Sequence, residues 1–167
     1  MKVAGFYDES ISNGLGWRAV LFVSGCPHHC PGCHNKVAQS YDYGEEFDKN
    51  KIINRIKENS ILNGITISGG EPLCPENIKE VNNFIEDLKK EKPNFDVWCY
   101  TGYTLEQLEA RNDDVTKETL KNIDVLVDGK FIEERKNPEI KFRGSDNQRV
   151  LDLKNCFKQH KIVELDI

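Results

Sequence analysis

The chain is organised around the stretch Gly25-Cys26-Pro27-His28-His29-Cys30-Pro31-Gly32-Cys33-His34-Asn35, which holds three of its six cysteines. Thiolates are soft ligands for iron and zinc, and three cysteines on one short loop leave at least one without a disulfide partner. A four-iron cluster takes one thiolate per iron, so three thiolates would leave one iron open to another ligand. A closed zinc site would instead need a fourth ligand, which His28, His29 or His34 could supply. The stretch therefore indicates a metal-binding loop, with iron–sulfur and zinc as the alternatives.

Length and composition are those of an ordinary globular domain. The 167 residues are 38% hydrophobic and 31% charged, which predicts a single folded domain over residues 1–167. The net charge of −5 argues against a nucleic-acid binder, which would need a basic face. No apolar run approaches the roughly 20 residues of a membrane span, and acidic residues appear too early for a signal segment. We therefore expect a cytoplasmic protein in which clustered thiols serve metal or redox chemistry.

Short apolar segments alternate with amphipathic ones along most of the chain. Strands are predicted at 17–23, 65–67, 95–100 and 124–127, with a last one at 162–165. Helices are predicted at 49–59, 75–90 and 116–122, and a capping box at Thr104 begins another short one. Residues 1–16 and 36–48 show no regular periodicity. The alternation predicts right-handed βαβ units and an α/β fold around a parallel sheet.

Four polar or glycine-rich loops each follow a predicted strand directly. They are the cysteine loop, Gly69-Gly70-Glu71, Thr101-Gly102-Tyr103 and Asp128-Gly129-Lys130. The carboxyl ends of parallel strands lie at one edge of a sheet or barrel, where ligands bind, so these loops should meet around the cysteines. A structural zinc ion would not need such surroundings, whereas iron with a bound small molecule would. The arrangement therefore favours the iron–sulfur interpretation.

Two motifs in this order resemble the radical S-adenosylmethionine (SAM) enzymes. They are Cys26-x-x-x-Cys30-x-x-Cys33 and Gly69-Gly70-Glu71-Pro72. Within that superfamily, the segments 21–28, 31–35, 100–103, 127–131 and 144–149 resemble the family that activates anaerobic (class III) ribonucleoside-triphosphate reductases. One departure from the wider superfamily is Gly32, which stands before the third cysteine where an aromatic residue is common. Backbone groups near Gly32 and His34 would then have to make the contact with adenine.

The resemblance implies a fold and a set of site residues. The fold would be an incomplete (β/α) barrel of the radical SAM type, open on one side to a protein substrate. Cys26, Cys30 and Cys33 would hold a [4Fe-4S] cluster whose fourth iron binds the amino and carboxylate groups of SAM. Gly32, His34, Gly69, Gly70, Glu71, Thr101, Asp128 and Lys130 would contact that cofactor. Among these, the paired glycines would admit the methionine part, Glu71 would accept from its ammonium group, and the last three would reach the ribose or the carboxylate.

The implied activity is reductive cleavage of SAM to methionine and a 5′-deoxyadenosyl radical. That radical would take a hydrogen atom from one glycine Cα of the reductase and leave a glycyl radical there. The implied partners are the anaerobic reductase and an electron donor of the flavodoxin or ferredoxin kind. Two alternatives stay open: an activase of another glycyl-radical enzyme such as pyruvate formate-lyase, and a non-catalytic module binding zinc through three cysteines and a histidine.

Several residues outside the cysteine loop have no role that the sequence settles. Cys74, Cys99 and Cys156 lack ligand spacing and are expected to be small buried apolar residues. Asn147 and Arg149 could bind the cofactor, the partner or the domain's own loops.

Overall fold

The computed structural model describes residues 1–167 and contains one seven-stranded sheet. The strands are β1 (Lys2–Ser10), β2 (Arg18–Val23), β3 (Glu45–Glu46), β4 (Gly64–Gly69), β5 (Asp96–Tyr100), β6 (Val125–Asp128) and β7 (Arg149–Asp152). Their order across the sheet is β3-β1-β2-β4-β5-β6-β7. The four central strands β2, β4, β5 and β6 are parallel, and the outer strands pair antiparallel. This confirms the predicted α/β class with a parallel centre.

The helices follow the amphipathic segments of the sequence. They are α1 (Lys49–Glu58), α2 (Ile78–Glu91), α3 (Leu105–Ala110), α4 (Asp114–Asn122) and α5 (Leu153–Gln159). The capping box is present, because the Gln107 N–H donates to the Thr104 hydroxyl and the Thr104 N–H donates to the Gln107 side chain. Helix α2 begins later than predicted, at Ile78, and the side-chain amide of Asn77 just before it donates to the carbonyls of Ser24 and Glu71. None of these helices has the length and apolar composition needed to cross a bilayer.

The sheet has two different faces because side chains alternate along each strand. Ala19, Leu21 and Val23 of β2 belong to the main core of 25 residues, to which the helices contribute. Trp98 of β5 and Val127 of β6 belong to a separate cluster. The second face, which we call the open face, is apolar as well, and this explains why the predicted strands read as continuous apolar runs.

At both ends of the chain the structure differs from what the sequence pattern indicated. Residues 1–16 contain β1, whose side chains are mostly half-buried and whose register shifts twice against β2, so no alternating pattern marks it. The strand predicted at 162–165 is only an isolated bridge between Leu151 and Glu164. The sequence pattern also does not predict the two-residue strand β3 or the helix α5.

A buried arginine, Arg18, lies at the end of the open face where β2 begins. Arg18 is fully buried and donates to the Thr66 hydroxyl (2.8 Å) and to the carbonyls of Leu15 (3.0 Å) and Ile65 (2.8 Å). It also donates to the carboxylate (2.8 Å) and the carbonyl (3.1 Å) of Asp96. All five N–H groups of the guanidinium are therefore used, and they join the segment before β2 to β4 and β5.

Candidate metal and cofactor site

A cavity of about 370 Å³ lies at the carboxyl ends of the parallel strands. Its wall includes members of all four loops that follow these strands: Cys26, Cys30 and Cys33, then Gly69, Gly70 and Glu71, then Thr101 and Gly102, then Gly129 and Lys130. Phe22, Ser68 and Tyr100 of the open face also line it. The structure thus brings together the loops that the strand pattern predicted to meet.

The three cysteines of the loop are free and partly exposed. Burial raises the pKa of the Cys26 thiol to about 11, although the backbone N–H groups of His28 and His29 act in the opposite direction. A bound metal would therefore have to displace the proton, as is usual for thiolate ligands. The remaining cysteines, Cys74, Cys99 and Cys156, are free and buried, as predicted.

The arrangement of the possible donors bears on the two metal alternatives. No three histidine, cysteine or acidic side chains surround a common point closely enough to hold a single metal ion. A structural zinc site needs such convergence, because its four ligands all contact one ion. A four-iron cluster takes one thiolate on each iron, so its ligands surround a larger body. The three cysteines of the loop supply the donor type that a four-iron cluster takes, and the side chains form no preformed site of three cysteines and one histidine.

The backbone of the cysteine loop is left-handed at three residues, Gly25, His29 and Gly32. Gly25 has φ +97°, and a Cβ there would overlap the ring of Tyr41, so only glycine fits. His29 has φ 48°, which is uncommon for a residue with a side chain. The N–H groups of Gly25 and Cys26 donate to the carbonyls of residues 38 and 39, which ties the beginning of the loop to the segment that follows it.

Glu71 is fully buried and accepts four hydrogen bonds within the protein. Its Oε1 accepts from the Thr101 hydroxyl (2.8 Å) and the Leu73 N–H (2.9 Å). Its Oε2 accepts from the Gly102 N–H (2.7 Å) and from Nε2 of His28 (2.7 Å). A carboxylate has about four lone-pair sites, so the ammonium group of SAM would have to displace one of these donors. The cofactor contacts of Glu71 and Thr101 stay predictions, and the observed role of Glu71 is to join three of the four loops.

Asp128 is buried and does not line the cavity. Its carboxylate accepts from Nε (2.9 Å) and Nη2 (2.6 Å) of Arg149 and from the Leu105 N–H (2.8 Å). Arg149 also donates to Glu106, so its hydrogen bonds to the two carboxylates raise its pKa, and Arg149 in turn lowers the pKa of Glu106. This network holds β6, β7 and the start of α3 together. Of the roles open to Arg149, the structure shows contact with the domain's own elements.

The backbone of segment 129–132 is held in place by side chains from residues 145–148. The side chains of Ser145, Asn147 and Gln148 bond, in that order, to the Ile132 N–H (3.2 Å), the Lys130 carbonyl (2.8 Å) and the Gly129 carbonyl (2.9 Å). Asn147 therefore also contacts the domain's own loop. The backbone is fixed while the Lys130 side chain stays exposed at the cavity, where its ammonium forms no ion pair.

The remaining two predicted residues, Gly32 and His34, flank Cys33 in the cysteine loop. The ring of His34 lines the cavity and packs against Phe131 with 4.9 Å between ring centroids. Gly32 does not line the cavity, and a Cβ there would meet the carboxylate of Glu133. Both cofactor contacts stay predictions.

Sequence reasoning missed the cavity residues that come from the strands themselves. Phe22, Ser68 and Tyr100 are each the last or next-to-last residue of a strand and point to the open face. Strand alternation, counted back from each predicted loop, would have identified them. His28 was considered only as a loop side chain or a zinc ligand, and nothing local in the sequence indicates its bond to Glu71.

Most of the chain is similar in sequence to known proteins. Residues 12–151, which include every loop described above, match a family model described as a 4Fe-4S single cluster domain. A relative from Haemophilus influenzae is 41% identical over 152 residues, which are 89% of this chain and 96% of the relative. One from Escherichia coli K12 is 41% identical over 153 residues (89% and 97%), and one from bacteriophage T4 is 39% identical over 147 residues (86% and 89%). All three are named anaerobic ribonucleoside-triphosphate reductase-activating protein.

Proposed function

Because the chain belongs to the family of anaerobic ribonucleoside-triphosphate reductase-activating proteins, we propose that it generates a glycyl radical on such a reductase by radical SAM chemistry. The observation that carries this proposal is the cavity wall, in which three free cysteines adjoin the glycine-rich loop of β4 at the carboxyl edge of the sheet. Three thiolates without a fourth protein ligand suit a cluster that must also bind a small molecule.

The cluster and SAM supply the chemistry when bound: one low-potential electron splits the sulfonium, methionine leaves, and the adenosyl fragment takes a hydrogen atom from a glycine Cα. Cys26, Cys30 and Cys33 would hold the cluster and leave its fourth iron to the cofactor. Gly69 and Gly70 carry no side chain that would keep a ligand from their backbone. The exposed ammonium of Lys130 is the cation available at the cavity for the cofactor's carboxylate.

The surroundings of the cavity suit a reactive intermediate and a protein substrate. Phe22 and Tyr100 form part of its floor on the open face and limit the access of water from the sheet side. We propose that the sheet is the incomplete barrel of the radical SAM type, whose open side admits the glycine-bearing segment of the reductase. A protein of the flavodoxin or ferredoxin kind would supply the electron. An activase of another glycyl-radical enzyme would use the same site, and the names of the relatives favour the reductase.

The direct test is electron paramagnetic resonance of the anaerobically reconstituted protein mixed with the reductase, reductant and SAM. We expect a brown protein, SAM cleavage to methionine, and a glycyl doublet on the reductase. A colourless protein that holds one zinc ion, or a cleaving protein that leaves no radical on the reductase, would contradict the proposal.

Cysteine variants test the ligand assignment. Cys30→Ala should abolish SAM cleavage, because it removes one of three thiolates that the cluster requires. Cys156→Ala is the matched control: this buried cysteine lies on α5 and belongs to the core, its sulfur accepts from the Val163 N–H, and its loss should leave cleavage near normal. Cleavage by Cys30→Ala with an intact cluster would show that the ligands are assigned wrongly.

A further inference from the structure

We propose that His28 is a positioning residue, which fixes the cysteine loop against the sheet through its hydrogen bond to Glu71. The inference rests on the proposed function, because its consequence concerns the cluster that this loop would hold. His28 lies between the first two cysteines, whereas Glu71 follows β4, so the bond joins residues that are 43 positions apart. No other side chain between Cys26 and Cys30 bonds to the loops that follow β4 and β5.

The His28 ring is confined on several sides. Its side chain is 7% exposed and that of Glu71 is 1% exposed. Nε2 donates to Oε2 of Glu71 at 2.7 Å, because a carboxylate can only accept. The ring meets the ring of Tyr103 edge-on at 4.5 Å between centroids, and a Cβ at Gly102 would overlap it. The imidazole therefore has one orientation available.

The groups that confine His28 are themselves fixed. The guanidinium of Arg111 lies 4.4 Å from the centroid of the Tyr103 ring and donates to the Leu73 carbonyl at 2.6 Å. Glu71 accepts three further bonds from Thr101, Gly102 and Leu73. The ring is thus attached to groups that are themselves hydrogen-bonded to the edge of the sheet.

This attachment fixes the position of the loop backbone that follows the first cysteine. His28 and His29 follow Cys26 along the loop, so their N–H groups lie on the backbone next to this cysteine, and His29 adopts a left-handed conformation with φ 48°. Successive N–H groups beside a left-handed residue form a concavity that suits an anion such as a thiolate. Hydrogen bonds to ligand sulfurs set the reduction potential of iron–sulfur clusters. His28 would therefore act on the cluster through the loop, without ligating a metal.

Three variants separate the hydrogen bond from the ring. His28→Phe keeps a ring against Tyr103 and removes the donor, and His28→Gln restores a donor without the ring. His29→Asn is the matched control, because asparagine tolerates the left-handed conformation and the His29 ring bonds only to the half-buried side chain of Gln39 (3.1 Å). Each protein is reconstituted and compared with the wild type by cluster reduction potential, paramagnetic resonance of the reduced cluster, and rate of iron release to a chelator.

We expect His28→Phe to release iron about tenfold faster, in line with the effect of removing outer partners at metal sites. Its reduction potential and resonance spectrum should shift as well, His28→Gln should recover most of the wild-type behaviour, and His29→Asn should match the wild type. A His28→Phe protein with wild-type potential and iron release would overturn the proposal.

A second variant covers the case in which His28→Phe does not fold. Tyr103→Leu loosens the His28 ring but keeps its N–H donor, so it should change the reduction potential and the iron-release rate by less than His28→Phe would. An unchanged potential and release rate would equally overturn the proposal. Failure of the proposed function itself would look different, because the wild-type protein would then hold no cluster or leave SAM intact.

Discussion

Replacing Arg18 by methionine tests how much the hydrogen bonds of this buried side chain contribute to the free energy of unfolding. Arg18 is fully buried, and its five N–H groups all donate to acceptors on the segment before β2, on β4 and on β5. Methionine keeps an unbranched side chain of similar reach and removes every donor. The variant therefore measures the hydrogen bonds more than the packing.

The expected loss follows from the acceptors that remain. The Ile65 carbonyl and the Thr66 hydroxyl are buried and would lose a donor, at about 1 kcal/mol each. The stacking of the guanidinium 5.3 Å from the Trp98 centroid is worth about 1 kcal/mol more. The Asp96 side chain is 43% exposed and can turn to water, so no unpaired charge is left buried. We expect a total loss of about 3 kcal/mol, the lower end of the range for a broken buried pair.

Urea unfolding of the metal-free, reduced protein, followed by circular dichroism, measures this loss without interference from cluster release. With a slope of about 2 kcal/mol per molar urea, the midpoint should fall by about 1.5 M at unchanged slope. Arg55→Met is the matched control, because Arg55 pairs with Asp8 at the surface, where both side chains are at least 40% exposed. Its loss should stay below about 1 kcal/mol. An Arg18→Met midpoint no lower than that of Arg55→Met would refute the reasoning.

Two further predictions concern the loop and the ion-pair network. Gly25→Ala should destabilise the protein by more than about 1 kcal/mol in thermal unfolding, because φ is +97° and Tyr41 occupies the space of a Cβ. Gly5→Ala, where a Cβ meets only Phe22 at 3.8 Å, should change little, and equal effects would contradict this account. Arg149 lowers the pKa of Glu106 below its usual value of 4.5. The pair therefore contributes stability that is fully present above pH 4.5 and is lost as the pH falls through the folded-state pKa of Glu106. Stability of metal-free Arg149→Met should therefore fall less steeply than that of the wild type between about pH 5 and pH 3, and parallel curves would exclude this linkage.

Much of the architecture could be predicted because its signals are local. The apolar runs at β2, β4, β5 and β6 and the loops after them appear in consecutive residues, and the rule that parallel strands end at one edge does the rest. Strand β1 escaped prediction because its half-buried side chains show no alternation and its register shifts against β2. Helix α5 escaped because it has only seven residues, too few to show a clear period.

The amino-acid sequence by itself determined the chemistry: three thiolates at metal-ligand spacing, a parallel sheet, and glycine-rich loops at its carboxyl edge. Only the tertiary structure decided which side chains use their polar groups on one another. The resemblance implied cofactor contacts for both Glu71 and Asp128, yet each is occupied by donors from distant segments, His28 for the one and Arg149 for the other. The reason is physical: a buried carboxylate has lost its water and must find donors inside the protein, and packing alone brings those donors within reach.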